Sequence, residues 1–290
     1  MKSTVVLFVL LSLGVSAQTV ESLKIKNHRI AILNDTIQET SGLTFVGPDL
    51  FTLNDSGNEA DLYQIDKADG TILKTFKTGL KNRDWEALTF DGENIYVGDF
   101  GNNLGSSKNL KVYQIPYSNG DIKTDSIRVF DYYYPDQIDF SPKNINNDFD
   151  AEAMFYEDSK IHILTKEWAS KAVSHYTLDL NVKEKQPAKK LESYPTGFVV
   201  TDSSIYNGKL YTVGYTKGLE VFMMIFTKSE GGFYFKQQPV KYKIGGALSI
   251  GQVEGIAVNE DGIYISAESF KSPLGATRPS LYFVAHEKIK

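Results

Sequence analysis

The chain has 290 residues, a formal net charge of -5 and no cysteine. Nucleic acids and anionic lipid surfaces are negatively charged and attract basic proteins. A chain with a net negative charge therefore has no electrostatic reason to bind either of them. Because no disulfide can form, a buried core must stabilise the fold, and the length is sufficient for one large all-β domain.

The N-terminal residues have the pattern of an export signal. A positive charge at Lys2 precedes an apolar run at residues 5–15, and small residues precede a cleavage site after Ala17. The apolar run is shorter than the roughly 20 residues that span a bilayer, although a retained membrane anchor is the alternative. We therefore predict a signal peptide at residues 1–17 and a single mature domain at residues 18–290. The mature protein is expected to be secreted or periplasmic, without membrane insertion.

One short pattern recurs five times along the rest of the chain. Each copy begins with a polar residue, continues as an apolar segment, and meets a turn before a second apolar segment. The five copies begin at Ser41, Glu86, Glu152, Asp202 and Glu254. Turns such as Asp91-Gly92 and Asn207-Gly208 are typical of tight β-hairpins. The pattern therefore predicts a series of β-hairpins, and no segment has a convincing helical pattern.

The spacing of the copies indicates the architecture. Repeats of four strands that recur at about 40 to 50 residues are typical of β-propellers. We therefore predict an all-β fold, a β-propeller with five blades. The last repeat has too few residues for a fourth strand. The apolar segment at residues 23–33 is expected to supply that strand and to close the ring, which removes an open sheet edge.

The interval between the second and third copies is longer than the others. It contains residues 132–148, which are rich in Asp, Asn and Pro and are expected to form an inserted loop. The alternative is a six-bladed ring with a degenerate blade in this segment, although the segment lacks the two apolar runs that a blade needs.

Acidic residues begin most of the innermost strands. A carboxylate among apolar residues is costly unless it is protonated, paired or bound to a metal ion. Propeller symmetry would bring these groups together near the axis, where like charges raise one another's pKa and a divalent cation relieves the repulsion. Oxygen ligands favour calcium over zinc. The predicted calcium ligands are Ser41, Glu86, Glu152, Asp202 and Glu254.

A second set of polar residues precedes these positions by two residues and shares their strand face. Its members are Glu39, Asp84, Asp150 and Gln252. The alternative to a metal site is a water-filled tunnel. There the acids would accept hydrogen bonds from backbone amides or pair with Arg83 and Lys166.

The loops after the second strand of each repeat are expected on the same face of the ring as the acids. Their polar and aromatic side chains suit a ligand-binding funnel, although each would also suit an ordinary turn. The predicted substrate-binding residues are Asp55, Asn102, Lys166, Trp168, Lys217 and Glu268.

At these positions the chain resembles the calcium-activated nucleotidases, which are apyrase-like five-bladed propellers. The matching positions are Ser41, Glu86, Glu152 and Glu254. Asp202, beside Ser203, stands where that family has a serine. The resemblance implies five blades and calcium in the central tunnel. Two departures disfavour a polyphosphate substrate, because Asp55 lacks a basic neighbour on its C-terminal side and the loop after Asp99 carries little positive charge. The chain is also similar to a wider group of secreted propellers described as esterase-like, phytase-like or lactonase-like.

Two hypotheses follow. In the first, the protein is a calcium-dependent hydrolase of ester or phosphoester substrates, with Asp84 or Asp99 as the general base. In the second, it is a non-catalytic exported propeller that binds a glycan, a peptide or a protein, with calcium as a structural pin. The expected ligand is a small molecule or glycan, and the sequence indicates no oligomeric state. His162 and His175 lie in strands and are expected to be packed rather than catalytic.

Overall fold

The computed structural model describes residues 19–273 and 275–289, which form five sheets in a ring, each built on four antiparallel strands. The innermost strands of neighbouring sheets contact one another in a closed cycle, the last against the first. The predicted five-bladed β-propeller is therefore confirmed. The predicted signal peptide at residues 1–17 lies outside the described residues. In the part of the chain that is described, no helix has the length and apolar character needed to cross a membrane.

The blades are numbered in chain order by their innermost strands. Blade 1 consists of Thr40–Val46, Asp49–Asn54, Asp61–Ile65 and Ile72–Lys77. Blade 2 consists of Trp85–Phe90, Asn94–Asp99, Leu110–Ser118 and Arg128–Tyr133. Blade 3 consists of Asp150–Glu157, Lys160–Lys166, Val173–Asp179 and Lys189–Tyr194. Blade 4 consists of Val199–Tyr206, Lys209–Tyr215, Glu220–Thr227 and Val240–Gly246. Blade 5 consists of Gln252–Val258, Gly262–Glu268, Ser280–Ala285 and Arg29–Ile32.

The remaining elements are short. The additional strands are Val20–Ser22, Asp121–Ile122, Gln186–Pro187, Phe270–Ser272 and Gly275–Thr277. The 3-10 helices are Ile25–His28, Asp35–Ile37, Thr124–Ser126 and His286–Lys288, and one α-helical turn spans Ala247–Ile250.

The N-terminal segment closes the ring, as predicted. Arg29–Ile32 forms the outer strand of blade 5 and pairs antiparallel with Ser280–Ala285. The predicted strand at residues 23–33 was too long, because Ile25–His28 forms a 3-10 helix that buries Ile25 in the core shared by blades 4 and 5. Before this 3-10 helix, Val20–Ser22 pairs in parallel with the outer strand of blade 4. The segment therefore joins two neighbouring blades.

The long interval between the second and third repeats is an insertion, and the six-bladed alternative is wrong. Blade 2 is completed by Arg128–Tyr133, and residues 134–149 form no strand before blade 3 begins. Backbone hydrogen bonds attach the insertion to the loop that follows the second strand of blade 2. Lys143 N donates to Leu104 O at 2.8 Å, and Ile145 N donates to Asn103 O at 3.0 Å.

Each innermost strand has a β-bulge near its start. In blades 2, 3 and 5 the extra residue is one of the predicted ligands: Glu86, Glu152 and Glu254. In blade 4 the extra residue is Thr201, one residue before Asp202. Successive residues of a strand point to opposite faces. Moving the bulge by one residue, from the position of Glu86 to that of Thr201, therefore gives Asp202 a different environment from that of Glu86. The strand register thus makes Asp202 equivalent to Ala87 of blade 2, not to Glu86.

Two buried histidines lie side by side in blade 3. His162 Nδ1 is 2.7 Å from His175 Nε2, and His175 Nδ1 is 3.1 Å from Glu192 Oε1. The ring of Phe155 stacks on His162 with a centroid distance of 4.5 Å. These histidines are packed within the blade, as expected from the sequence. Burial, followed by repulsion from His175, lowers the pKa of His162 to about 3.

This depressed pKa predicts a loss of stability in mild acid. In the unfolded chain His162 binds a proton below about pH 6.5, whereas in the folded protein it does not until about pH 3. Stability is therefore fully present above the unfolded pKa and falls as the pH decreases. Between pH 7 and pH 5 we expect this group to cost about 2 kcal/mol.

Urea unfolding at pH 7 and pH 5 measures the effect. His162→Gln should reduce the pH dependence of the free energy of unfolding by that amount. His28→Gln, outside the buried pair, is the control and should retain the wild-type pH dependence. An unchanged pH dependence in His162→Gln would contradict the assignment.

Candidate functional site

An axial pocket of about 310 Å³ opens on one face of the ring. It lies where the innermost strands begin and the second strands end, the face predicted from the topology. The residues that line it are Ser41, Asp55, Glu86, Asn103, Glu152, Lys166, Trp168, Tyr215, Gln252, Glu254 and Glu268. Among these described lining residues, five carboxyl groups surround a single ammonium group. The pocket is therefore strongly acidic.

Three carboxyl groups converge at the edge of the pocket, two of them from the lining residues Asp55 and Glu86 and the third from Asp84 behind the lining. Asp55, Asp84 and Glu86 each offer an oxygen atom, and these atoms all lie within 4.8 Å of one another. We call these three residues the acidic triad. Asp55 extends from the loop after the second strand of blade 1, whereas Asp84 and Glu86 stand at the start of blade 2. Ser41 Oγ, from blade 1, donates to the backbone oxygen of Glu86 at 3.2 Å.

A glycine leaves the space that two of these carboxylates occupy. A Cβ atom on Gly101 would lie 2.5 Å from Asp84 Cγ and would also overlap Glu86 Oε1. The backbone at Gly101 is not in the left-handed region that favours glycine, so the small residue serves the close approach rather than a turn. The loop after blade 2's second strand therefore forms the floor beneath the triad.

The triad resists ionisation when no cation is present. Burial is the main cause that raises the pKa of Asp55 to about 6, and Asp84 adds repulsion. Burial likewise raises the pKa of Asp84 and holds that of Glu86 well above its usual range, with Asp55 and Glu152 next in effect. Closely spaced carboxylates that are both desolvated and mutually repelling are stabilised by a bound cation.

The opposite side of the pocket contains the single lysine. Lys166, which is 3% exposed, forms a buried ion pair with Glu152. Its Nζ lies 4.9 Å from the ring centre of Trp168 and 5.3 Å from that of Tyr215. Burial alone would lower the pKa of Lys166, but the attraction of Glu152 and its neighbours outweighs burial and raises it. Lys166 is therefore a permanent cation in an aromatic enclosure.

Trp168 is held in place by a carboxylate outside the pocket. Asp150 Oδ2 accepts a hydrogen bond from Trp168 Nε1 at 3.0 Å, and Asp150 Oδ1 accepts from Asn102 N at 2.7 Å. Burial raises the pKa of Asp150 to about 6, against the effects of Lys166 and these donors. Asp150 thus positions the aromatic wall.

Glu254 and Glu268, both from blade 5, differ in their surroundings. Glu254 Oε1 accepts from Gln252 Nε2 at 2.7 Å, whereas Glu254 Oε2 is buried and has no hydrogen-bond partner within the described residues. Burial, with repulsion from Glu254 and Asp55, raises the pKa of Glu268 to about 9. Without a bound cation, Glu268 therefore keeps its proton near neutral pH, and Glu254 Oε2 is an acceptor atom without a hydrogen-bond partner among the described residues.

Asp202 is not part of the axial pocket. Its Oδ2 accepts from Ile256 N at 2.7 Å and from Leu43 N at 3.1 Å, and its Oδ1 accepts from Ser203 N at 2.7 Å. All these donors are backbone amides, in blades 5, 1 and 4. This is the backbone-bonded arrangement that the sequence left as the alternative to metal binding.

Asp99, proposed from the sequence as a general base, also lies outside the pocket lining. Its Oδ1 accepts from Asp84 N at 3.0 Å and lies 3.3 Å from Arg83 Nε, while its Oδ2 accepts from Tyr113 OH at 3.4 Å. Asp99 therefore fixes the backbone that carries Asp84.

Two predicted substrate-binding residues lie elsewhere as well. The side chain of Asn102 donates to Phe149 O at 3.0 Å and accepts from Ser107 N at 2.9 Å. Lys217 is exposed outside the lining, where its Nζ donates to Ile145 O at 3.3 Å and lies 5.9 Å from the ring centre of Trp168. The other four, Asp55, Lys166, Trp168 and Glu268, line the pocket as a group.

Two lining residues were not anticipated. Asn103 lines the pocket where its neighbour Asn102 was expected, an error of one residue within an irregular loop. Tyr215 is the last residue of blade 4's second strand, and its hydroxyl accepts from Gln252 Nε2 at 3.0 Å. Tyr215 ends the second strand of blade 4 as Lys166 ends the second strand of blade 3. The repeat pattern of the sequence could therefore have identified Tyr215 as a pocket residue.

The chain matches neither a protein-family model nor a curated protein. Its solved-structure matches include a protein of Thermus thermophilus assigned as an oxidoreductase (glucose dehydrogenase), at 9% identity and a TM-score of 0.46, over 92% of this chain and 99% of that one. A protein of Bacteroides uniformis assigned as a 6-phosphogluconolactonase matches at 13% identity and a TM-score of 0.37, over 88% and 72%. A chain of a mitotic checkpoint complex matches at 10% identity and a TM-score of 0.40. The match covers 83% of this chain and 63% of the checkpoint chain. The five-bladed fold is assigned from the sheets of this chain itself.

Proposed function

We propose that the axial pocket binds calcium at the acidic triad and hydrolyses an ester or phosphoester. The observation that carries the proposal is the convergence of Asp55, Asp84 and Glu86 on one point, against the floor formed by Gly101. The resemblance to calcium-activated nucleotidases suggests the same ion. We further propose that the protein acts outside the cytoplasm, as the predicted export signal implies.

The donor set fits a hard cation. The triad offers only carboxylate oxygens, the hydroxyl of Ser41 lies beside it, and calcium takes six to eight such ligands with flexible geometry. When bound, calcium would polarise the ester or phosphoryl oxygen and orient water.

The chain's own residues supply the binding and the proton transfers. Trp168 and Tyr215 would enclose an apolar part of the substrate, and Lys166 would attract a negatively charged oxygen. Glu254 Oε2 would accept the proton of the attacking water. Glu268, whose pKa is raised mainly by burial, would donate a proton to the leaving oxygen as its bond breaks. Asp84 then serves as a calcium ligand, and Asp99 as the group that positions it.

Thermal melting in calcium and in chelator tests the ion site. A cation at about a hundredfold excess over its dissociation constant adds about 2.7 kcal/mol, which is a rise of roughly 5 °C in Tm for a chain of this size. Metal analysis should find about one ion per chain. Glu86→Gln should abolish the shift, whereas Glu59→Gln, an exposed residue outside the pocket, should preserve it.

Gly101→Ala tests the floor of the site directly. The added methyl group would displace the carboxylates of Asp84 and Glu86, so we expect calcium affinity to fall at least about tenfold. Gly218→Ala is the control, because its nearest neighbouring atom would be 3.5 Å away. Equal calcium affinity in the Gly101→Ala variant, measured by calorimetry, would refute the triad as the site.

A screen of ester and phosphoester substrates separates the two hypotheses from the sequence. Turnover that disappears in chelator and in Glu254→Gln supports the hydrolase. Turnover that persists in chelator contradicts it. A calcium-dependent Tm without turnover of any substrate would instead support a binding protein for a glycan, peptide or protein, with calcium as its structural pin.

A further inference from the structure

A second cavity lies on the rim of the ring, away from the acidic triad. This rim cavity of about 270 Å³ is formed by the outer strand of blade 2, the loop before its third strand and the inserted segment. The residues that line it are Ser107, Lys108, Leu110, Tyr132, Tyr133, Tyr134, Gln137, Phe140 and Lys185.

The walls of the rim cavity are mainly aromatic. Tyr132 and Tyr134 are buried and pack edge to face, with ring centroids 5.5 Å apart and hydroxyl oxygens separated by 3.4 Å. Tyr133 remains 42% exposed, and the ring of Phe140 is half-buried. Flat aromatic walls in a small cavity are suited to a planar ring, which would stack or pack edge-on against them.

The charge of the rim cavity is opposite to that of the axial pocket. Lys108 and Lys185 line it, and none of its described lining residues carries a carboxylate. Lys108 Nζ lies 4.8 Å from the ring centre of Phe140, and Lys185 Nζ donates to Lys108 O at 2.6 Å. Neither lysine forms an ion pair with any residue in 19–273 or 275–289. Both ammonium groups can therefore receive an anion.

The cavity has a fixed shape. Gln137 Nε2 donates to Gly105 O at 2.7 Å and so ties the insertion to the loop that carries Ser107 and Lys108. Ser107 Oγ accepts from Arg83 Nη1 at 3.2 Å, which leaves the serine proton for another acceptor. A cavity that is already formed binds without the cost of ordering its walls.

We propose that the rim cavity binds a small aromatic carboxylate. The aromatic ring lies among the tyrosines and Phe140, while the carboxylate accepts hydrogen bonds from Lys108, Lys185 and the hydroxyl of Ser107. Charged hydrogen bonds of this kind give both affinity and orientation. This site is independent of calcium and of the proposed hydrolysis.

Calorimetric titration with 4-hydroxycinnamate, in chelator, tests the proposal. We expect saturable binding to one site, and at least about tenfold weaker binding of the uncharged methyl ester, because it cannot pair with the two ammonium groups. Lys185→Gln and Lys108→Gln should each weaken binding of the acid about fivefold or more. Lys183→Gln, an exposed lysine of the same segment outside the cavity, should leave it unchanged.

Two further measurements locate the ligand. Tyr133→Ala should weaken the binding of both the acid and its methyl ester, because it removes an exposed part of the aromatic wall. Glu86→Gln should leave the binding of both unchanged. Absence of saturable heat up to the solubility limit of the probe would overturn the proposal. Equal affinity for acid and ester, or binding that requires calcium and is lost in Glu86→Gln, would overturn it as well.

Discussion

Asp202→Ala is expected to lower the free energy of unfolding by about 4 kcal/mol, because it leaves three buried backbone amides without an acceptor. Asp202 has no exposed surface, and its two oxygens accept from Leu43, Ile256 and Ser203. The carboxylate thus connects the innermost strands of blades 1, 4 and 5 at the axis. A buried amide that loses its partner cannot recover it from water.

Chemical denaturation of Asp202→Ala and Asp202→Asn measures this effect. Asparagine retains one acceptor oxygen but places an NH2 group against amide donors, so we expect an intermediate loss. Asp125→Ala is the control, because Asp125 is exposed in a 3-10 turn, and its effect should stay within about 0.5 kcal/mol. If Asp202→Ala had the stability of this control, the axial role of the residue would be ruled out.

Lys166→Met is expected to destabilise the protein by a similar amount, about 4 kcal/mol, for an electrostatic reason. The substitution keeps the length of the side chain but removes the cation that pairs with Glu152 inside the pocket. Burial raises the pKa of Glu152, and the attraction of Lys166 is the largest influence that opposes this rise. Without the lysine, the carboxylate must become protonated or remain buried as an unpaired charge.

The pH dependence identifies this cause. A folded-state pKa raised above the unfolded value makes an acid destabilising as the pH rises, so the deficit of Lys166→Met should be smaller at pH 5 than at pH 8. Adding Glu152→Gln should restore part of the stability, and Lys183→Met, at an exposed lysine outside the pocket, is the control. A deficit that is independent of pH and unaffected by Glu152→Gln would show that packing, not charge, was lost.

The repeat pattern predicted the propeller because each blade repeats the same local alternation of apolar and turn residues. Glu86, Glu152 and Glu254 were placed correctly at the pocket because each occupies the bulge of its strand. Asp202 was misplaced because in blade 4 the bulge falls on Thr201. The position of a bulge depends on pairing between strands and leaves no trace in the spacing of apolar residues.

The loops limited the prediction of the pocket in a similar way. The sequence cannot distinguish Asn102 from Asn103 as a pocket residue, because both are polar and follow the same strand. Only the hydrogen bonds of the folded loop turn Asn102 away from the pocket and leave Asn103 in its lining. The triad was only partly foreseen, since Asp55 was predicted to bind substrate and Asp84 to act as a base. Their convergence depends on how two blades pack and on the space left by Gly101.

The pairing of Arg29–Ile32 with Ser280–Ala285 determines when the chain can complete its fold during synthesis. The partner of this strand follows it in the sequence only after the strands of blades 1 to 4. Successive strands within each of those four blades pair as local hairpins and can form as they emerge, whereas blade 5 must wait for a distant partner. Contacts between such distant segments carry a large loop-closure entropy and form slowly. Until Ser280–Ala285 has been synthesised, Arg29–Ile32 lacks its partner strand and the ring of blades stays open.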